Sequence, residues 1–240
     1  MGVNEVSGKS KTYKNSPLVE TVFEIRFPGE PIIECNRDKL YKKIRDVYSE
    51  VLVPKSHEGW GMPLEPYRFQ RPDGGGGVML SINKMAIYCK KYEGFKAFKE
   101  ETMNIFSVFG QLFKVKKLNR TGLRYINLIP FTREEGTITI GNYLNIKIIL
   151  PKCVPPEFLN LNSIFVSKTK GGRITTRVMP AISQDRTQEV IILDFDYAKE
   201  GNLIFDSIDR YLDESHKHTK QLFEQLITDN YKKVMRGEVI

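Results

Sequence analysis

From Leu18 to Phe27 the side chains alternate strictly, with Thr21, Phe23, Ile25 and Phe27 on one face and Glu20, Val22, Glu24 and Arg26 on the other. A period of two sends successive side chains to opposite sides of a strand, so this segment is a half-buried strand, closed by Pro28-Gly29. A strand of this kind needs a sheet around it and a layer of helices or a second sheet over its apolar face. The next run changes period. After Asn36, the residues Leu40, Tyr41, Ile44, Val47, Tyr48 and Val51 recur at three- and four-residue steps, which predicts an amphipathic helix with an Asn or Asp cap.

The pattern then repeats. The stretch from Trp60 to Pro66 is rich in Gly and Pro. Tyr67 to Gln70 and Val78 to Tyr92 read as strands joined through Asp73-Gly-Gly-Gly-Gly77, followed by a helix from about Lys96 to Phe113 and a strand from Thr121 to Ile129. The first half therefore reads β-α-β-β-α-β, with both helices on one face of a sheet. In the second half, Phe158 to Ser167 and Arg173 to Val178 form a hairpin through Lys170-Gly-Gly172, and Val190 to Tyr197 is a further strand. A long helix from about Phe205 to Met235 closes the chain, with its stripe passing through Leu212, Ser215, Thr219, Leu222 and Tyr231. Tyr143 to Leu150 reads equally as strand or extended linker.

The fold class expected is α+β: two related halves with mixed or antiparallel sheet, interleaved helices and a long C-terminal helix. The organisation expected is a loose arm over residues 1–12, a first half over 13–130, a connecting segment over 131–156 and a second half over 157–240. Composition agrees with a folded body, since 40% hydrophobic and 28% charged residues in 240 are near globular averages and exclude wholesale disorder. No apolar stretch approaches the roughly 20 residues that span a bilayer, so no membrane partner is expected. The polar, lysine-bearing start of the chain does not read as a signal peptide. Three widely spaced cysteines, Cys35, Cys89 and Cys153, argue against a disulfide framework and for a reducing, cytoplasmic setting, with thiols buried or inert.

Motifs for chemistry are few. Ser7-Gly-Lys-Ser10 ends like a phosphate-binding loop, but the earlier glycine falls at position 3, which is Val3. Gly74 to Gly77 can expose N–H groups to an anion, yet they sit where a hairpin turns. His216 and His218 are two apart on a helix and so point about 200° from each other, which stops them sharing an ion. His216 lies beside the apolar stripe and reads as a packed, hydrogen-bonded histidine, while His57 stands alone in a polar loop. Asp194 and Asp196 share a strand face and form a candidate Mg²⁺ or acid–base pair, with solvation the plainer reading. No metal site, cofactor or catalytic residue is assigned.

The strongest electrostatic feature is Lys114, Lys116, Lys117, Arg120 and Arg124, a run without acids leading from the second helix into the next strand, with Lys90 and Lys91 as neighbours. In a chain of net charge +8, this cluster is the candidate site for an acidic protein partner, a phosphate or a nucleic acid. The ordinary alternative is a solvated rim.

Three blocks carry a resemblance: Tyr13-Lys-Asn-Ser-Pro-Leu-Val-Glu-Thr-Val-Phe-Glu-Ile-Arg-Phe27, Arg120-Thr-Gly-Leu-Arg-Tyr-Ile-Asn-Leu-Ile129, and Leu212-x-x-x-His216 with Phe223 and Ile227-Thr228. In this order and spanning nearly the whole chain, they resemble a sporadically distributed, largely uncharacterised family of prokaryotic proteins known by a number alone. Ser16 departs from the second proline more common there. The resemblance implies no catalytic residues. It implies the context of mobile genes, such as CRISPR-associated and other phage-defence loci or toxin–antitoxin pairs. The function expected is a non-catalytic accessory protein that binds another protein from its own operon. The alternatives are nucleic-acid or nucleotide binding through the basic cluster and an antitoxin-like regulator.

Overall fold

The computed structural model describes residues 13–53, 66–155, 157–183 and 186–238. The amino-terminal arm with Ser7–Ser10, His57 and the Gly/Pro-rich stretch from Trp60 to Glu65 lie outside the described residues. In chain order the elements are β1 (Leu18–Arg26), α1 (Ile32–Ile44), β2 (Glu50–Leu52), β3 (Tyr67–Gln70), β4 (Gly76–Ser81), β5 (Lys84–Cys89), α2 (Phe95–Phe113) and β6 (Lys117–Pro130). Then come β7 (Ser163–Lys168), β8 (Arg173–Ile182), β9 (Glu189–Ile204), α3 (Ile208–Leu226) and α4 (Asp229–Arg236). All nine strands join one sheet in the order β2-β3-β4-β5-β1-β6-β9-β8-β7, and each of its pairings is antiparallel. The fold is α+β.

The alternation in β1 sets which face is covered. Thr21, Phe23 and Ile25 are fully buried, and the Phe23 ring meets Phe106 of α2 edge-on at 5.8 Å. The same face receives α1 through Tyr41 stacked on Phe69 at 5.4 Å, and α3 through His216 against Tyr125. Tyr231 and Met235 bring α4 to that face, in one apolar cluster with Leu193 and Phe195. Among the described residues no helix packs on the opposite face, which carries Glu24, Arg120, Arg124, Asp194, Asp196 and Arg177. The covered side holds two apolar clusters. One gathers α1, α2 and the start of α3, and the other gathers α4, the end of α3 and Phe131, Ile138, Ile140 and Leu144 from the segment after β6.

Four local readings change. The first helix ends at Ile44, leaving Val47 half exposed and Val51 in the short edge strand β2. Asn36 is a kink inside α1, at φ −133° and ψ 15°, where its side-chain amide donates back to the Ile32 carbonyl at 2.9 Å instead of capping forward. Val78 to Tyr92 is a hairpin, β4 and β5, turning between Ser81 and Lys84. The C-terminal helix is broken at Ile227-Thr228. Thr228 Oγ1 accepts from the Tyr231 N–H at 3.2 Å and donates to the Asn142 carbonyl at 2.8 Å, while Leu144 bridges to Ile227. A capping threonine and tertiary hydrogen bonds thus outweigh one more helical turn. The cysteines also depart from expectation, because Cys35 and Cys153 are exposed. Only Cys89 is half-buried, with its thiol donating to the Lys91 carbonyl and pushed up by burial.

Candidate functional site

The basic cluster divides. Lys114 takes the left-handed position that ends α2, and it, Lys116 and Lys117 are exposed and form no ion pair among the described residues. Arg120 and Arg124, on the open face of β6, are engaged. Arg120 donates to Glu24 at 2.9 Å and to both oxygens of Asp196 at 3.1 Å, and its side chain is only 13% exposed. Arg124 grips Asp194 with two hydrogen bonds, at 2.9 and 2.8 Å, and Arg177 reaches the same carboxylate at 3.0 Å. Bidentate pairing of this kind fixes the planar groups against each other, and the Asp194 carboxylate holds the Arg124 guanidinium above its ordinary value. Cross-strand register explains the ladder, since Arg124 lies opposite Asp196 and next to Asp194 on β9. Gly122 is part of it. A Cβ there would come within 2.6 Å of the Arg120 guanidinium, so a glycine lets Arg120 lie flat along the strand.

The same register answers the carboxylate-pair reading. The oxygens of Asp194 and Asp196 belong to arginines, and both residues sit across the sheet from His216. His218 stacks on Tyr197 at 5.0 Å, away from His216 on the other flank of α3. Among the described residues no three His, Cys, Asp or Glu side chains group as metal ligands. The glycine run is half turn and half strand: Gly74 has φ +67° and the Asp73 carboxylate takes the Gly75 N–H at 2.8 Å, while Gly76 and Gly77 open β4, paired with Cys89 and Tyr88 of β5.

The covered face holds a cavity of about 390 Å³ where the two apolar clusters meet. Its first wall is the lead-in to β1, with Tyr13, Lys14 and Ser16, tied to α4 by Asn15 N–H to the Met235 carbonyl and to β6 by Leu128 N–H to the Pro17 carbonyl, both 2.8 Å. The floor is Tyr125 and Asn127 of β6 with Phe195 of β9. The far wall is α3, through His216, Thr219, Lys220 and Phe223, and the entrance to α2 adds Tyr92 and Phe95. Gly94, at φ +124°, turns the chain so that Phe95 lands on His216. Those two rings are parallel within 4° with centroids 3.7 Å apart.

A short relay runs along the floor. Tyr125 Oη lies 2.8 Å from His216 Nδ1 and 3.4 Å from Tyr92 Oη. Burial pushes the Tyr92 phenol up to about 12 and Tyr125 well above its ordinary value, so both keep their protons. Burial, with Lys220 beside it, pushes His216 down to about 4, so the ring is neutral at pH 7. Tyr125 Oη and His216 Nδ1 thus share one hydrogen bond between uncharged groups. Asn127, 3% exposed, anchors its amide to the Leu193 carbonyl at 3.0 Å. Tyr13 donates to Glu224 at 2.8 Å, and its phenol is raised to about 12 by burial and then by that carboxylate.

The third feature is an edge. Among the described residues β7 pairs only with β8, and Ile164, Phe165 and Val166 are 60%, 46% and 64% exposed. Three consecutive apolar side chains at a six-residue sheet edge, free of charge until Lys168, form a template for another strand. The other edge, β2, is three residues long.

The sequence singles out His216, while Asn127 enters it only as a member of the second block. The signal was present: each of the three blocks quoted above supplies residues to the cavity, Tyr13 to Leu18 from the first, Tyr125 and Asn127 from the second, His216 and Phe223 from the third. Tyr92 and Phe95 lie outside the blocks. No protein-family model matches this chain, and no curated protein matches its sequence.

Proposed function

We propose that this protein is a non-catalytic accessory protein that works by binding another protein, one encoded in its own operon, and that it receives a strand of that partner along β7. The carrying observation is the apolar edge of β7, unpaired among the described residues, where backbone hydrogen bonds would supply affinity and the alternating Ile164, Phe165 and Val166 side chains selectivity. The prokaryotic-defence setting, CRISPR-associated or similar, rests on the resemblance of the three blocks. The engagement of Arg120, Arg124, Asp194 and Asp196 with one another supports a structural role for the open face rather than a reactive one.

Co-expression with the operon neighbours and a tagged pull-down with nuclease treatment tests this. A stoichiometric partner is expected that survives nuclease and is lost in Phe165→Lys and Val166→Lys. A partner retained by both variants contradicts the reading. A second reading, nucleic-acid binding, is favoured by Lys114, Lys116 and Lys117, exposed and without an ion pair among the described residues. It requires affinity that falls with salt and with charge reversal at those three.

A further inference from the structure

We propose that the cavity between α3, β6 and the lead-in to β1 binds a small aromatic anion, a flat ring system bearing one carboxylate or an equivalent negative group. Size comes first: about 390 Å³ falls within the roughly 300–1,000 Å³ of small-molecule sites. Shape follows from Phe95, Phe195, Phe223 and Tyr92, whose rings favour a planar, polarisable body. Charge comes from the rim. Lys14 and Lys220 both line the cavity and neither forms an ion pair among the described residues, whereas Glu224, the acid of the lining, is already accepting from Tyr13. Two free cations against one engaged carboxylate select a negative ligand.

The polar groups inside fit the same class. The relay from Tyr92 through Tyr125 ties down His216 Nδ1, so the ring is held in place at the cavity wall. Asn127, with its amide nitrogen engaged by Leu193, has its carbonyl oxygen left to orient a ring N–H or hydroxyl. Positioning by uncharged polar groups and attraction by exposed lysines are separable, and this separation gives the proposal its test. It does not depend on β7 or on any protein partner.

Isothermal titration of the full chain with 2-naphthoate, 2-naphthamide and 2-naphthylmethylamine reads it directly, together with the His216 imidazole signals by NMR. The expected result is one-to-one binding of the carboxylate at least about tenfold tighter than the amide, with the amine weakest, and a shift of the His216 signals on binding. Lys220→Glu, an exposed position, is expected to weaken the carboxylate by about tenfold while leaving the melting temperature unchanged, and Lys14→Glu to weaken it less. Equal binding of carboxylate and amide, an unaltered affinity in Lys220→Glu, unmoved His216 signals, or no binding of any of the three probes overturns the proposal.

Discussion

The two faces of β6 are built on opposite rules. Its open face carries Arg120 and Arg124, and each is matched by carboxylates of β1 or β9 within hydrogen-bond distance. Its covered face carries Leu123, Tyr125 and Asn127, and there the polar groups form a sparse relay that ends at an open cavity. Charge is therefore concentrated where water reaches the sheet and is consumed by pairing. Hydrogen-bonding capacity is left over on the side where water is scarce. The difference teaches that a basic run in sequence is no measure of available positive charge, because strand register decides which cations meet an acid.

The largest effect is expected from breaking the open face at its most buried carboxylate. Asp194 is 2% exposed and serves two arginines, so Asp194→Ala should lower the urea-unfolding free energy by about 3 kcal/mol. Removing Arg177 alone, which leaves Arg124 in place, should cost clearly less.

Acid comes next and acts on the covered face. His216 titrates near 4 when folded, below its ordinary 6.5, so between these values the unfolded chain binds more protons than the folded one. Its contribution is complete above pH 6.5 and lost as pH falls through 4. After discounting for solvent around the partly exposed ring, the loss is about 2 kcal/mol. His216→Gln should accordingly flatten the stability profile over that window, and an NMR titration of the ring should place its midpoint well below 6.

Gly122→Ala sharpens the contrast at a single atom. The new methyl displaces the Arg120 guanidinium from Glu24 and Asp196, at an expected cost of about 1–2 kcal/mol, and Arg120→Ala in the same background should erase most of the difference. Tyr125→Phe removes the hydroxyl that joins Tyr92 to His216 and should cost about 1 kcal/mol in denaturant melts. Val166→Lys, at an exposed edge, should change stability by less than about 0.5 kcal/mol while removing the protein partner.

Much of this architecture is legible in the sequence. The alternation of β1, the helical spacing of α2 and the glycine turn at 171–172 are local signals, and local signals report local structure. The α+β class followed from them. The long-range facts did not follow. That Arg120 folds back over Gly122 depends on a partner strand some 76 residues away in sequence. The break at Thr228 depends on the Asn142 carbonyl and on Leu144, distant residues that a helical stripe cannot reveal. The cavity is half legible, since His216 stands out beside an apolar stripe, but only the sheet order brings β6 beneath α3. In the sequence β7 is indistinguishable from an ordinary hairpin strand, because periodicity does not say which strand ends a sheet.

Hydrogen exchange on the complex recovered by co-expression measures the central claim in one experiment, because it reports every amide of the chain with and without its partner. New protection is expected at alternating amides between Ser163 and Lys168, with the open-face ladder and the 114–117 lysines unchanged. Protection that appears around Lys114–Lys117 and leaves β7 exchanging as before would contradict it.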